Sequence, residues 1–161
     1  MKFSIDSIKI IDLTKIDGSS FPKSFVGCLV LTNNNKILLQ QRGIDWDRYP
    51  GYLATFGGRI ELEEAAPQAL VRELKEELGA NVILSDVISL GAITESYTNH
   101  SELIYTYFWH DKHNTITGCY EGEPKYYDNY TDALTHPKIM DDVRWIINES
   151  LTRGLIQPYT T

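Results

Sequence analysis

Residues 56–80, FGGRIELEEAAPQALVRELKEELGA, constrain this chain more than any other stretch, because they fix a loop, a helix and a helix end in one short span. Gly57 and Gly58 follow a strand-like segment. Pro67 suits a first helical turn, where its missing N–H would have had no partner. Residues 68–78 are good helix formers, and Gly79 stands where a left-handed cap closes a helix. At about 100° per residue, Leu70, Val71, Leu74 and Leu78 fall on one arc that can face a core. Glu73, Glu76 and Glu77, spaced i, i+3 and i+4, share a neighbouring arc and repel one another. Either that arc is a solvated, glutamate-rich face, or it holds a hard divalent cation. Mg²⁺ takes oxygen ligands and is commonly held by one or two carboxylates plus substrate phosphates.

Spacing favours the cation. In order, the segment reads Gly58-x5-Glu64-x7-Arg72-Glu73-Leu74-x-Glu76-Glu77-x-Gly79-Ala80. This resembles the signature box of the Nudix (MutT-like) hydrolases. Seven glycine or charged positions match; at about one in fifteen each, from average composition, chance gives roughly 10⁻⁸ per starting point. The one departure is Ala80, where the family usually has a larger aliphatic residue. That is a difference of packing and touches no chemistry. A weaker likeness extends from about residue 25 to residue 145.

At 161 residues the chain suits one domain with a sizeable core, so a single domain over 1–161 is expected, with its box at 58–80. The longest apolar run, 25–31, is far too short to span a bilayer. Asp6 interrupts the region where a secretory signal needs an unbroken apolar stretch. A cytoplasmic protein with no membrane partner is therefore expected. Cys28 and Cys119 are far apart and form no CxxC, so neither a disulfide framework nor zinc is indicated. His110 and His113, in a strand-turn context with no further ligand nearby, make no zinc site. A net charge of −7 argues against a long nucleic acid as partner. It leaves room for a small nucleotide delivered with its metal.

Along the chain, strands are expected over 4–12, 25–32 and 36–41, the last two joined as a hairpin by Asn33-Asn34-Asn35, since Asn tolerates φ > 0. A polar and aromatic loop carrying Arg42, Trp46, Arg48 and Tyr49 leads to a short strand over 53–56. After the helix, 81–93 and 102–109 read as strands, the second with apolar residues on both faces. A further strand over 119–127 is limited to an edge or bulge by Pro124. From Pro137 a closing helix repeats Ile139, Val143, Ile146/Ile147 and Leu151 at helical spacing. The pattern predicts a mixed β-sheet flanked by helices, α/β in the broad (α+β) sense. The resemblance adds the Nudix-type α/β/α sandwich.

The resemblance implies hydrolysis of a nucleoside diphosphate linked to another group X, by water attack on phosphorus, with Mg²⁺ (or Mn²⁺) as cofactor. Such an ion neutralises phosphate oxygens, lowers the pKa of a bound water and aligns the reacting groups. Positioning and electrostatics then supply most of the rate. Carried over by position, Glu73, Glu76 and Glu77 look like the metal carboxylates, with the Gly58 carbonyl as a further ligand. Arg72 looks like the residue that orients a box glutamate, Glu64 or Glu73; ordinary pairing with Glu76 is the alternative. The general base is a box glutamate, Glu73 or Glu76, or a carboxylate from a later loop, where Glu121 is favoured slightly over Glu123. Arg42 and Arg59 are phosphate ligands or solvated charges, since guanidinium matches phosphate oxygens. Tyr97, like Tyr49, Tyr52 and Tyr105, is a candidate for stacking on a base.

Substrate choice lies outside the box. Members selective for ADP-ribose often carry a proline shortly after it, and Glu95-Ser96-Tyr97 has none. Tyr97 points toward dinucleoside polyphosphates, whereas Gln40-Gln41-Arg42 resembles members that clear nucleoside triphosphates. Those two classes and nucleotide sugars stay open. A non-hydrolytic nucleotide sensor or regulatory module is the competing function, with the isoprenoid isomerase branch a third. Sensors usually lose box carboxylates, and this chain keeps them all. Family habit is compatible with a homodimer.

Overall fold

Alternation in the central strands sends apolar side chains to both faces of a sheet. In β2 (Lys23–Leu31), Val26, Cys28 and Val30 pack on one side, while Phe25, Leu29 and Leu31 pack on the other. In β7 (Glu102–His110), Tyr107 and Trp109 join the first side, and Ile104 and Phe108 the second. α1 (Ala66–Leu78) covers the first face with Ala69, Leu70, Leu74 and Leu78. α3 (Asp141–Thr152) covers the second with Val143, Trp145, Ile146 and Ile147. The result is the expected mixed sheet between helices.

The computed structural model describes residues 6–157. The remaining strands are β1 (Ile8–Ile11), β3 (Ile37–Gln41), β4 (Leu53–Ala54), β5 (Phe56–Arg59), β6 (Val87–Glu95) and β8 (Glu123–Tyr127), and α2 spans Tyr130–Leu134. Their order is β1-β6-β7-β2-β3-β4, with β5 paired to β2 and β8 to β3. β2 and β7 run parallel from Lys23↔Glu102 to Leu31↔His110, and the other pairings are antiparallel. Among the described residues, no helix is long and apolar enough to cross a membrane.

Several boundaries differ from the sequence expectation for local reasons. The strand expected over 4–12 is described only as β1, and residues 4 and 5 lie outside the described part. The segment expected over 53–56 splits at Thr55, because Leu53–Ala54 pair with β3 and Phe56–Arg59 with β2. Residues 81–86 are not strand: Asp86 N donates to Ile83 O in a turn, and Ile83 and Leu84 are exposed. β8 starts at Glu123, later than expected, because Thr117 N and Tyr120 N donate to Leu78 O and Glu77 O at the end of α1. The closing helix begins at Asp141, since Leu53 N donates to Lys138 O and Met140 N to Leu53 O. α2 was not anticipated; Asn129 caps it by accepting from Asp132 N at 3.1 Å.

The helix end behaves as its glycine requires. Gly79 sits at φ 64 and donates to Lys75 O, while Ala80 N donates to Leu74 O. Ala80 is fully enclosed against the α1 side of the sheet, where a larger aliphatic side chain would need extra room.

Candidate active site

The corner between β5 and α1 is built by close approach. Gly57 has φ 151, and a Cβ there would lie 1.9 Å from Val26 O. At Gly58 a Cβ would lie 2.5 Å from the Glu73 carboxyl. Gly57 is therefore a steric requirement of the backbone path, whereas a side chain at Gly58 would displace the movable end of Glu73. Gly57 N donates to Glu77 Oε2 at 3.2 Å.

Arg72 ties the corner together. Its Nε and Nη2 donate to the two oxygens of Glu64 at 2.8 Å each, its Nη1 donates to Glu73 Oε1 at 2.8 Å, and Nη2 also reaches Arg59 O at 3.0 Å. The fork-to-fork contact, with the Glu61 N–H, draws the Glu64 carboxyl down to about 2. Glu76 stands 3.7 Å from Arg72 Nη1. Arg72 thus grips both glutamates proposed for it and also has the looser helical pairing.

Burial dominates the remaining carboxyls. Glu77 is only 3% exposed, and burial, then the charges of Glu121 and Glu73, push it up to about 9. Burial also raises Glu73, although Arg72 pulls the other way. Among the described residues, no three His, Cys, Asp or Glu side chains are gathered closely enough to hold an ion as they stand. The donor chemistry nevertheless fits a hard divalent cation. The corner offers oxygen donors only, and its buried carboxyls lack positive charge beyond Arg72.

A cleft of about 240 Å³ opens from this corner. Gly57, Gly58, Glu77 and Glu121 line one end, and Arg42, Tyr49, Glu95 and Asp142 are among the residues lining the rest. Glu121 is brought there by its loop: Tyr120 N is bonded to Glu77 O, and Gln40 Nε2 donates to Glu121 O at 2.9 Å. The loop between β3 and β4 forms another wall. Arg42 Nε donates to Arg48 O at 2.9 Å, Arg48 pairs with Glu102 at 2.9 Å, and Tyr49 Oη donates to Glu95 Oε1 at 3.1 Å.

A family model described as the NUDIX domain matches residues 22–147. The chain belongs to the Nudix hydrolase family. With its curated hydrolase relatives, that makes the protein a pyrophosphohydrolase, and Nudix hydrolases generally use divalent metal ions. The chain is 29% identical over 116 residues to the CTP pyrophosphohydrolase of Escherichia coli K12, covering 71% of this chain and 82% of that protein. In structure it is similar to the MutT protein of Methanosarcina mazei Go1, with a TM-score of 0.67, 16% identity, and coverage of 84% of this chain and 96% of that one. The E. coli ORF135 protein, solved in solution, matches with a TM-score of 0.56 and 27% identity over 83% of this chain and 89% of its own.

Within this Nudix fold, the residues singled out from the sequence divide into two groups. Gly58, Glu77, Glu121 and Arg42 line the cleft, whereas Arg72 and Glu73 line a neighbouring groove. Glu76 is on the exposed side of α1, its side chain 60% accessible. Arg59 is exposed and lines a separate groove with Lys23, Glu61 and Glu73. Tyr97 is 72% exposed and reaches the cleft only through Tyr49, whose ring lies 4.4 Å away. Glu123 turns to Lys125 at 3.7 Å. Sequence reasoning gave no role to Glu95, Asp142 or Arg48. None belongs to a motif: the pairing of β6 with β7 brings Glu95, the docking of α3 brings Asp142, and the loop after β3 brings Arg48 to the cleft.

Proposed function

We propose that the protein, as one hydrolase domain over residues 1–161, is an Mg²⁺-dependent pyrophosphohydrolase that cleaves a small nucleoside diphosphate linked to X. The observation that carries this reading is the buried Glu77, bonded to the Gly57 N–H in a cleft that also receives Glu121, with the half-buried Glu73 held by Arg72 one turn earlier on α1. Glu73, Glu77 and the Gly58 carbonyl would hold the ion, with Glu76 turning in from its exposed position. Bound there, Mg²⁺ would neutralise charge on the phosphate oxygens during displacement. Arg72 fixes the Glu73 carboxyl, so it is a positioning residue. Glu121, carried beside Glu77 by its loop, takes the proton from the attacking water. Arg42 in the cleft wall holds the substrate, and Arg59 and Tyr97 meet only parts of it that extend beyond the cleft.

Nucleoside triphosphates are the first substrate class to try, because the E. coli relative is a CTP pyrophosphohydrolase. The test is a phosphate-release screen with Mg²⁺ or with EDTA, over nucleoside triphosphates, dinucleoside polyphosphates, nucleotide sugars and ADP-ribose. A preferred, EDTA-sensitive substrate supports the reading. Silence across the panel from folded protein that binds nucleotide would make this chain a sensor.

A further inference from the structure

The turn that carries Glu121 into the cleft is not held there by burial. Tyr120, Glu121 and Gly122 are all exposed, and residues 111–122 join β7 to β8 without a helix or strand of their own. β8 adds little restraint. It pairs with β3, its residues are exposed or half-buried, and Pro124, opposite Gln40, has no N–H to give the ladder. Polar tethers must therefore fix the turn. Tyr120 N donates to Glu77 O at 2.8 Å, and Glu121 O accepts from Gln40 Nε2 at 2.9 Å and from Cys119 Sγ at 3.3 Å. The thiol belongs to the same loop and is a weak donor. Among the described residues, Gln40 alone ties Glu121 itself to the sheet.

Gln40 has little other reason to be buried. It is 4% exposed near the end of β3, where Ile37, Leu38 and Leu39 are all core residues. Leu38 packs under α1, and alternation puts Gln40 on the same side of the sheet. A buried amide is costly unless it is bonded. Because its partner here is a carbonyl, the atom facing Glu121 has to be the amide nitrogen. The fit is close: Gly122 has φ 69, and a Cβ there would lie 2.8 Å from both Gln40 Cγ and Gln41 O. The turn lies directly on the Gln40 side chain.

We propose that Gln40 is a positioning residue whose amide holds the Glu121–Gly122 turn against the sheet and so keeps the Glu121 carboxylate at the hydrolytic corner. Its effect on rate rests on Glu121 being the base of the proposed function. A displacement of about 1 Å can cost a reaction about a hundredfold, so loss of the tether is felt in turnover. Affinity for substrate changes little, because Gln40 acts through Glu121.

The experiment compares wild type, Gln40→Met, Gln40→Glu, Glu121→Gln and Gln40→Met combined with Glu121→Gln, each first shown by melting to be folded. The first substitution keeps the length without a donor, and the second sets an acceptor against the carbonyl. Hydrogen exchange of the 117–122 amides is measured without substrate, and kcat and KM on the nucleotide preferred in the phosphate-release screen. In both Gln40 variants, exchange over 117–122 should be about fivefold faster or more, with that of β2 unchanged. In both, kcat should fall about tenfold while KM stays within about threefold. In the Glu121→Gln background, Gln40→Met should cost less than about twofold more. Unchanged loop exchange in both Gln40 variants, a loss carried by KM, or an equal loss with and without Glu121 would overturn the proposal. Faster exchange in the Gln40 variants, from protein that hydrolyses nothing or in which Glu121→Gln turns over normally, would sustain the tether while refuting the role given to Glu121.

Discussion

Glu64, Arg72, Glu73 and Glu77 lie on one loop and one helix, where a single arginine binds Glu64 and Glu73 and the Gly57 N–H binds Glu77. Glu95, Asp142, Arg42 and Tyr49, further along the same cleft, come from β6, α3 and the loop after β3. The first group is rigid by local geometry and tuned by charge. The second is assembled only when the sheet is complete, and its carboxyls have few partners. The first region is therefore suited to a fixed chemical task, the second to holding the rest of a ligand.

Substitutions in the two regions should separate these tasks. The largest effect is expected from Glu77→Gln, which can still accept from Gly57 N but loses a carboxylate from the corner. Removing groups that merely support metal ligands costs roughly 10–100-fold, so losing a ligand should cost on the order of a hundredfold or more. The melting temperature should stay close to wild type, whereas Glu95→Gln should leave kcat within severalfold on its preferred nucleotide. Comparable kcat losses in both would erase the division between the regions.

Glu121→Gln should lower kcat about a hundredfold and flatten the acidic limb of the pH–rate profile, as expected for loss of a general base. Wild-type rates with an unchanged profile would return that role to Glu73 or Glu76. Arg72→Lys keeps the charge but not the fork that spans Glu64 and Glu73. It should reduce activity by roughly tenfold or more and raise the Mg²⁺ concentration giving half-maximal rate. An unchanged Mg²⁺ dependence would reduce Arg72 to a surface ion pair.

The smallest effect is on stability. The carboxyls of Glu95 and Asp142 rise from ordinary values of 4.5 and 3.8 to about 7 and about 6 in the folded chain. Between these values the folded state holds more protons than the unfolded state, so stability falls as pH rises from about 4 to about 7. In EDTA, the wild-type melting temperature should therefore drop between pH 5 and pH 8. Glu95→Gln combined with Asp142→Asn should reduce that drop by about a few degrees. An equal drop in the double variant would show that these groups titrate normally.

How much was legible in the sequence follows the same division. Glu73 and Glu77 could be placed on one face because a helix converts spacing directly into proximity, whereas Gly58 and Arg72 were read from the resemblance of the box. The central strands and the covering faces of α1 and α3 were legible from periodicity for the same reason. Glu95 and Asp142 could not be found, because their neighbours are set by β6–β7 pairing and by where α3 docks. Arg59 was drawn in by its place beside Gly58, yet its side chain lies outside the cleft. The segment 119–122 was expected as the start of a strand, but Tyr120 N is taken by Glu77 O at the end of α1.

The most direct test of the hydrolytic corner is the rate of nucleotide cleavage as Mg²⁺ is added back to EDTA-treated protein. Turnover should be absent at the start, rise to saturation in wild type, and stay near zero in Glu77→Gln at every Mg²⁺ concentration. Cleavage in excess EDTA at the rate seen with Mg²⁺, or equal Mg²⁺ curves for the two proteins, would contradict the account.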